Sequence, residues 1–367
     1  MYRGPVILLV LSTLWLLPGC SKEEEEVISW QPAEMGDGLR ISTATDQGVD
    51  SLTIDDAYRR ALKLDNIYSL LIMKNGYLVA EGYFNNHAAD DARKTASVTK
   101  SITSALAGIA IRDNMIPGTD QKLKDFFPEI DWESADPRKS EITVEQVLQM
   151  RSGYPWEEFD GYFETLVSSR DWIPFLEEFP LMYDPGTQFG YSNFTAHMMG
   201  IIIARSADQS LLSFAREQLF DEMGISIQSW PMDKSGYYYG SGDVSMTPRS
   251  MAKFGQLYLD EGVWNDVQLV PSEWVDRSLT VYSNTTYGRE IIDHISDLKY
   301  GYLWWTGTSG SHRIWFAWGY GGQMIAIADA LDLVVVTSAS VSYASEEEAW
   351  PKSKAIMELV GRLVADL

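Results

Sequence analysis

The sequence is poor in the residues that most often carry metal, redox or nucleic-acid chemistry. Its 367 residues include one cysteine, Cys20, and four histidines. A single thiol excludes an internal disulfide, a cysteine-rich zinc site and a thiolate-held iron–sulfur cluster. His87, His197, His294 and His312 stand far apart, with no His-Glu-x-x-His spacing, so they read as surface or packing residues and no metal is expected. Positive charge is scarce as well: 29 Lys and Arg face 52 Asp and Glu, a net charge of −23. Such a field repels phosphate backbones, which excludes nucleic acid as a partner, and it supplies no basic patch for a membrane surface. No repeat period and no Gly-x-x-x-x-Gly-Lys-Ser/Thr phosphate loop occurs.

What is present is a folding composition, 45% hydrophobic and 12% aromatic. At this length it is enough for a buried core that needs no disulfide or metal, in one large or two interlocked domains.

Residues 1–20 have the build of a secretory signal. A short basic start is followed by the apolar run Val6–Leu17, too short to span a bilayer comfortably, and then Leu17-Pro18-Gly19-Cys20. The acidic run Ser21-Lys22-Glu23-Glu24-Glu25-Glu26 ends any apolar core there. The junction resembles a bacterial lipobox, which implies acylation at Cys20 and membrane attachment through lipid alone. The expected location is the cell envelope, at the outer membrane if the source is Gram-negative. Residues 21–50 read as a tether.

Beyond the tether, Ile54–Leu64 is amphipathic and predicts a helix. Ile67–Met73 and Tyr77–Phe84 flank Lys74-Asn75-Gly76, a hairpin signal. A helix is expected from about Ser97 to Ile111, another at Thr143–Met150 with Thr143 and Gln146 as a capping box, and another at Phe194–Ala207. Strands are expected at Gly301–Trp305, Arg313–Trp318, Met324–Ala328 and Leu333–Ser338, then a last helix over Glu346–Ala365. Strands at both ends around a helical middle imply an α/β (α+β) fold: a sheet domain over 51–365 with an all-helical insertion at roughly 112–250, sharing a cleft where ligands usually sit.

Ser97-Val98-Thr99-Lys100 puts a hydroxyl and an amine three residues apart at a helix start. One helical turn brings such side chains onto one face, about 5–6 Å apart at Cβ. A lysine desolvated near the positive end of a helix loses its proton more readily and can then take the serine proton, so Ser97 becomes a nucleophile without histidine. Ser250-Met-Ala-Lys253 and Ser296-Asp-Leu-Lys299 share the spacing and read as solvated helix charges. Tyr191-Ser192-Asn193 follows later in the chain, as do Thr143–Gly153, Gly240–Arg249 and Tyr300–Trp305.

In this order the motifs resemble the serine β-lactamase and penicillin-binding-protein superfamily, in its class C-like branch, across about residues 50–365. The resemblance implies an antiparallel sheet flanked by helices, an inserted helical domain and no cofactor. It implies Ser97 as the acyl-forming nucleophile, Lys100 as its base, Tyr191 as the proton shuttle to the leaving group, and Asn193 as the residue that positions Lys100 or substrate. The third family motif, a Lys or His followed by x-Gly on a strand edge, falls in Ala317-Trp-Gly-Tyr-Gly-Gly-Gln323, which holds neither. Tyr320 either replaces that cation or follows it, and Gly321, Gly322 and Gln323 complete the stretch expected to position substrate. A backbone N–H between Tyr320 and Gln323 is expected to pair with that of Ser97 as an oxyanion donor.

In the superfamily's β-lactamases and peptidases the missing cation recruits a substrate carboxylate, a contact worth roughly 1.5–3 kcal/mol. Its absence in an acidic protein shifts the expectation toward small amides and carboxyl esters, and the Gly-Tyr-Gly-Gly-Gln wording is similar to the 6-aminohexanoate-dimer hydrolase subgroup. Arg151 and Arg313 read either as substitute cations or as surface ion pairs. Tyr154, Trp156, Tyr237–Tyr239 and Trp304–Trp305 either line an apolar pocket or pack in the core. The alternatives are a peptidoglycan D-Ala or D-amino-acid peptidase or β-lactamase, and a non-catalytic envelope binding module.

Overall fold

A computed structural model describes residues 30–169, 171–285 and 292–367. The signal-like segment and Cys20 lie outside them. No helix among the described residues is long and apolar enough to cross a membrane.

The first hairpin forms where the Asn-Gly pair requires it. Asn75 and Gly76 both take positive φ (51° and 73°), the mirror-image turn whose twist matches the strands it joins. It connects β1 (Ile67–Lys74) to β2 (Tyr77–Tyr83). These strands join six from the C-terminal half: β3 (Ser283–Asn284), β4 (Ser296–Tyr300), β5 (Trp305–Ser309), β6 (His312–Gly319), β7 (Gln323–Ala328) and β8 (Leu333–Ala339). The order across the sheet is β2-β1-β8-β7-β6-β5-β4-β3, with every pairing antiparallel. Both chain ends therefore build one sheet, and β8 places them side by side through the ladder from Lys74↔Leu333 to Ile67↔Ala339.

The expected strand Gly301–Trp305 is a connection instead. Gly301 N–H donates to Trp304 O at 2.8 Å, Leu303 takes φ of 59°, and the strands lie to either side as β4 and β5. Tyr302, Leu303 and Trp304 are buried, so the apolar run that suggested a strand is a tight turn pressed into the core.

Helices cover both faces. α1 (Ser51–Ala61), capped by Asp50, packs with α7 (Glu346–Ala365), whose first turn carries Glu346, Glu347 and Glu348 at the positive helix end. α2 (Val98–Arg112) is buried along nearly its whole length. The chain from residue 113 to 247 is mainly short helices, among them α3 (Val144–Leu148), with the expected Thr143–Gln146 capping box, α4 (Glu157–Asp160) and α5 (Asn193–Ser206). Arg93–Lys94 pairs with Ser245–Met246 across the base of this segment. α6 (Pro248–Leu259) already belongs to the sheet, packing on β8, β7 and β1. α2 contacts α5 on one side and β6 on the other, so its N-terminus stands where the helical segment meets the sheet.

Candidate active site

Ser97 stands at the N-terminal boundary of α2 without bonding its backbone and is half-buried, and the residue before it, Ala96, holds φ at 46°. A left-handed alanine costs of order 1 kcal/mol or more and persists only where its surroundings enforce it. Here Ala96 O accepts from Thr99 Oγ1 (2.8 Å) and from Asp243 N–H (3.2 Å). The chain thus turns sharply into α2 with the serine at the bend.

Lys100, one turn on, is 1% exposed, and its Nζ meets three oxygens: Ser97 Oγ at 2.9 Å, Asn193 Oδ1 at 2.7 Å and Ser241 O at 2.8 Å. Three acceptors suit an ammonium. In the neutral amine two N–H groups still satisfy Asn193 and Ser241, which leaves the lone pair directed at the serine hydroxyl. Burial pushes Lys100 down to about 8, against the opposing pull of Glu158, Glu157 and Asp243. The Tyr191 ring lies 4.8 Å from Nζ and stacks on Trp305 at 5.6 Å. The spacing thus brings Ser97, Lys100, Tyr191 and Asn193 together. The other two Ser-x-x-Lys matches form no comparable pair. Lys253 is buried rather than solvated and donates to Met223 O (3.0 Å) and Gly224 O (3.3 Å), while Lys299 sits on a strand and pairs with Asp297 at 2.7 Å.

The strap Gly240–Val244 locks the helix start. Thr95 N–H donates to Val244 O, Val244 N–H to Thr99 Oγ1, and Thr103 Oγ1 to Gly240 O. Behind the strap, His197 donates from Nε2 to Asp233 (3.0 Å) and accepts Gly240 N–H at Nδ1 (3.3 Å); both side chains are fully buried. His197 is thus a packing residue, as its isolation in the sequence suggests, whereas Asp233 and the acidic pair on α4 carry no signal there. Glu157 is fully buried under the start of α5, accepting from Ser192 Oγ (2.7 Å), Asn193 N–H (2.9 Å) and Phe194 N–H (3.0 Å). Burial, with Glu158 beside it, lifts its carboxyl to about 7 despite those donors. Glu158 is exposed and accepts from Asn193 Nδ2 at 2.7 Å. Nothing in the sequence separates these two from the other acidic residues.

The third-motif stretch ends β6. Pairing with β5 stops at Phe316↔Trp305, so in the ladder Ala317–Gly319 pair with β7 alone. Gly319 O accepts Gly322 N–H (3.2 Å) on that side, and strand alternation turns the N–H of Trp318 to the other edge, with Tyr320 entering the turn that follows. A Cβ on Gly319 would stand 2.3 Å from Thr95 O, which shows how closely this edge passes the residues before Ser97. Gly321 and Gly322 turn the chain at φ of 87° and 104°, and a Cβ on Gly321 would sit 1.9 Å from Ser340 O. Tyr320 is exposed and follows the strand. Gln323 does not face a cleft. Its buried amide bonds both ways with Ala339, Nε2 to O at 2.6 Å and N–H to Oε1 at 3.1 Å, because β8 ends there and its backbone needs partners.

Of the candidate aromatics, Trp156 and Trp305 border Tyr191. Tyr154 and Trp304 are core residues, and Tyr239 packs on His197. Arg151 makes no ion pair among the described residues; it donates to Gly186 O and Tyr282 O beside a cavity of about 250 Å³ that Thr187, Gln188 and Phe189 also line. Arg313 is exposed on β6. Among the described residues no cluster of His, Cys, Asp and Glu could hold a metal.

A 6-aminohexanoate-dimer hydrolase of Paenarthrobacter ureafaciens is 24% identical over 294 residues, covering 74% of this chain and 72% of the relative. A Bacillus anthracis structure assigned as a 6-aminohexanoate-dimer hydrolase superposes with a TM-score of 0.66 at 21% identity, over 84% of this chain and 80% of that one. A D-stereospecific amidohydrolase from Streptomyces gives a TM-score of 0.59 at 15% identity, over 83% and 98%. The Beta-lactamase family profile matches residues 68–356. The chain belongs to the beta-lactamase family of serine hydrolases.

Proposed function

We propose that the protein hydrolyses small amides or carboxyl esters through an acyl-enzyme on Ser97. Neutral Lys100 takes the Ser97 hydroxyl proton as Oγ bonds to the substrate carbonyl carbon. The carbonyl electron pair moves to oxygen, where the N–H groups of Ser97 and Tyr320 stabilise it. On collapse the C–N or C–O bond breaks, and Tyr191 gives the leaving group its proton. Water then attacks the acyl carbon and gives a proton to the Tyr191 oxygen, and as the acid departs Lys100 returns its proton to Ser97 Oγ, which restores all three groups.

The observation that carries this reading is the 2.9 Å contact between Ser97 Oγ and a buried lysine whose other two N–H groups already have acceptors. An amide or ester substrate is favoured over a β-lactam or D-Ala peptide because the stretch Ala317–Gln323, where the family motif's cation is expected, holds neither lysine nor histidine. The name of the Paenarthrobacter relative, a hydrolase of a linear amide dimer, points the same way. A purely binding module would have no use for a desolvated lysine on a serine. Attachment to a bacterial envelope through lipid on Cys20 completes the proposal and rests on the sequence alone.

The test is turnover of p-nitrophenyl acetate and of linear amides by residues 27–367, beside Ser97→Ala. Ester and amide turnover lost in the variant supports the reading. Turnover that survives in Ser97→Ala, or none in either protein, contradicts it.

A further inference from the structure

Resting on the reading of Lys100 as the base, we propose that Glu158 is a positioning residue: it fixes the Asn193 amide so that its oxygen faces Lys100, and its carboxylate charge holds the proton on that lysine. The amide of Asn193 has two unlike ends and two unlike neighbours. Oδ1 lies 2.7 Å from Lys100 Nζ, and Nδ2 lies 2.7 Å from Glu158 Oε1. An ionised carboxylate only accepts hydrogen bonds, so it takes the NH2 end. Turned over, the amide would set an oxygen against carboxylate oxygens and an NH2 against the ammonium. Glu157 contributes little to this choice. Its oxygens are engaged by Ser192, Asn193 N–H and Phe194 N–H, and its approach to Asn193 Nδ2 is 3.5 Å.

The charges around Lys100 single out the same residue. Glu157 and Glu158 face it from α4, Asp243 from the strap, and the Tyr191 ring from the start of α5. Asp243 is offset by Lys94 at 3.0 Å. Glu157, lifted to about 7 by burial, carries only part of its charge near neutrality. Glu158 makes no ion pair among the described residues, and of the three carboxylates it raises Lys100 the most. Since it is exposed, substitution there leaves the core intact.

The test is the pH dependence of kcat and kcat/KM for ester hydrolysis by the full chain, with Glu158→Gln and Glu158→Ala beside the unsubstituted protein. Glutamine can still accept from Asn193 but carries no charge. Its acid limb moves to lower pH, which raises activity on that limb relative to the plateau by roughly threefold for each half unit moved. Alanine moves the limb in the same direction and also lowers the plateau, because the Asn193 amide is free to turn. A merely structural role would lower the melting temperature or the plateau and leave the limb in place. A Glu158→Gln limb coincident with that of the unsubstituted protein overturns the proposal. Fluorophosphonate labelling read by intact mass separates the two failures. An adduct on Ser97 with an unmoved limb rejects Glu158 alone, whereas no adduct rejects the reading of Ser97 and Lys100 and this proposal with it.

Discussion

At the scale of single residues, the site depends on a few contacts with no slack. Gly319 is the clearest case, since a Cβ there would meet Thr95 O at 2.3 Å and Ala96 Cβ at 3.2 Å. Backbone oxygen cannot retreat as a flexible side chain can, so Gly319→Ala must push β6 away from the start of α2. The expected outcome is a fall in acylation rate of about 10²-fold, comparable to loss of one oxyanion donor. The secondary structure seen by circular dichroism should be unchanged. Retained acylation would mean that the open edge of β6 takes no part. Ser97, Lys100, Tyr191 and Asn193 were legible in sequence because a helical turn and a recurring motif order place them. The side-chain bonds of Gln323 to Ala339 are not legible in sequence, because a buried amide that mimics backbone partners looks there like any polar residue beside a glycine turn.

At the scale of elements, the start of α5 is the most exposed to change. One buried carboxylate, Glu157, serves Ser192 Oγ and the N–H groups of Asn193 and Phe194 together. Glu157→Ala leaves those donors unmet in the interior and is expected to cost about 2–4 kcal/mol, read by urea unfolding. The sign of the pH effect follows from the raised carboxyl. Between its ordinary 4.5 and about 7 the folded protein holds a proton that the unfolded chain has released, so this group makes stability fall as pH rises through that window. Glu157→Gln should flatten that part of the slope; an unchanged slope between pH 5 and 7 would show that Glu157 stays ionised. Periodicity could not reveal this brace, because a four-residue helix has too few turns to show a buried face. The same limit explains Gly301–Trp305, where burial without alternation fits a strand and a tight core turn equally well.

At the scale of the whole molecule, the fold was legible because both chain ends carry strong strand signals and the middle does not. The pairing of β1 with β8 could not be read locally, since it joins residues more than 250 apart in sequence. The net charge of −23 acts at this scale too. It should favour cationic over anionic esters of the same shape at low salt, and added salt should narrow the difference by screening. Rates for a choline ester and a succinate half-ester across a salt series check this, and a difference independent of salt would place the discrimination in local contacts.

On the proposed reading, a desolvated Lys100 activates Ser97. Its most direct test is the rate of fluorophosphonate addition to Ser97 as a function of pH, followed by intact mass. With Lys100 pushed down to about 8, the rate should rise with pH and reach half its plateau near that value. Lys100→Met should abolish the rise while leaving the protein folded. A rate that is flat with pH, or a rise that survives in Lys100→Met, would contradict the account.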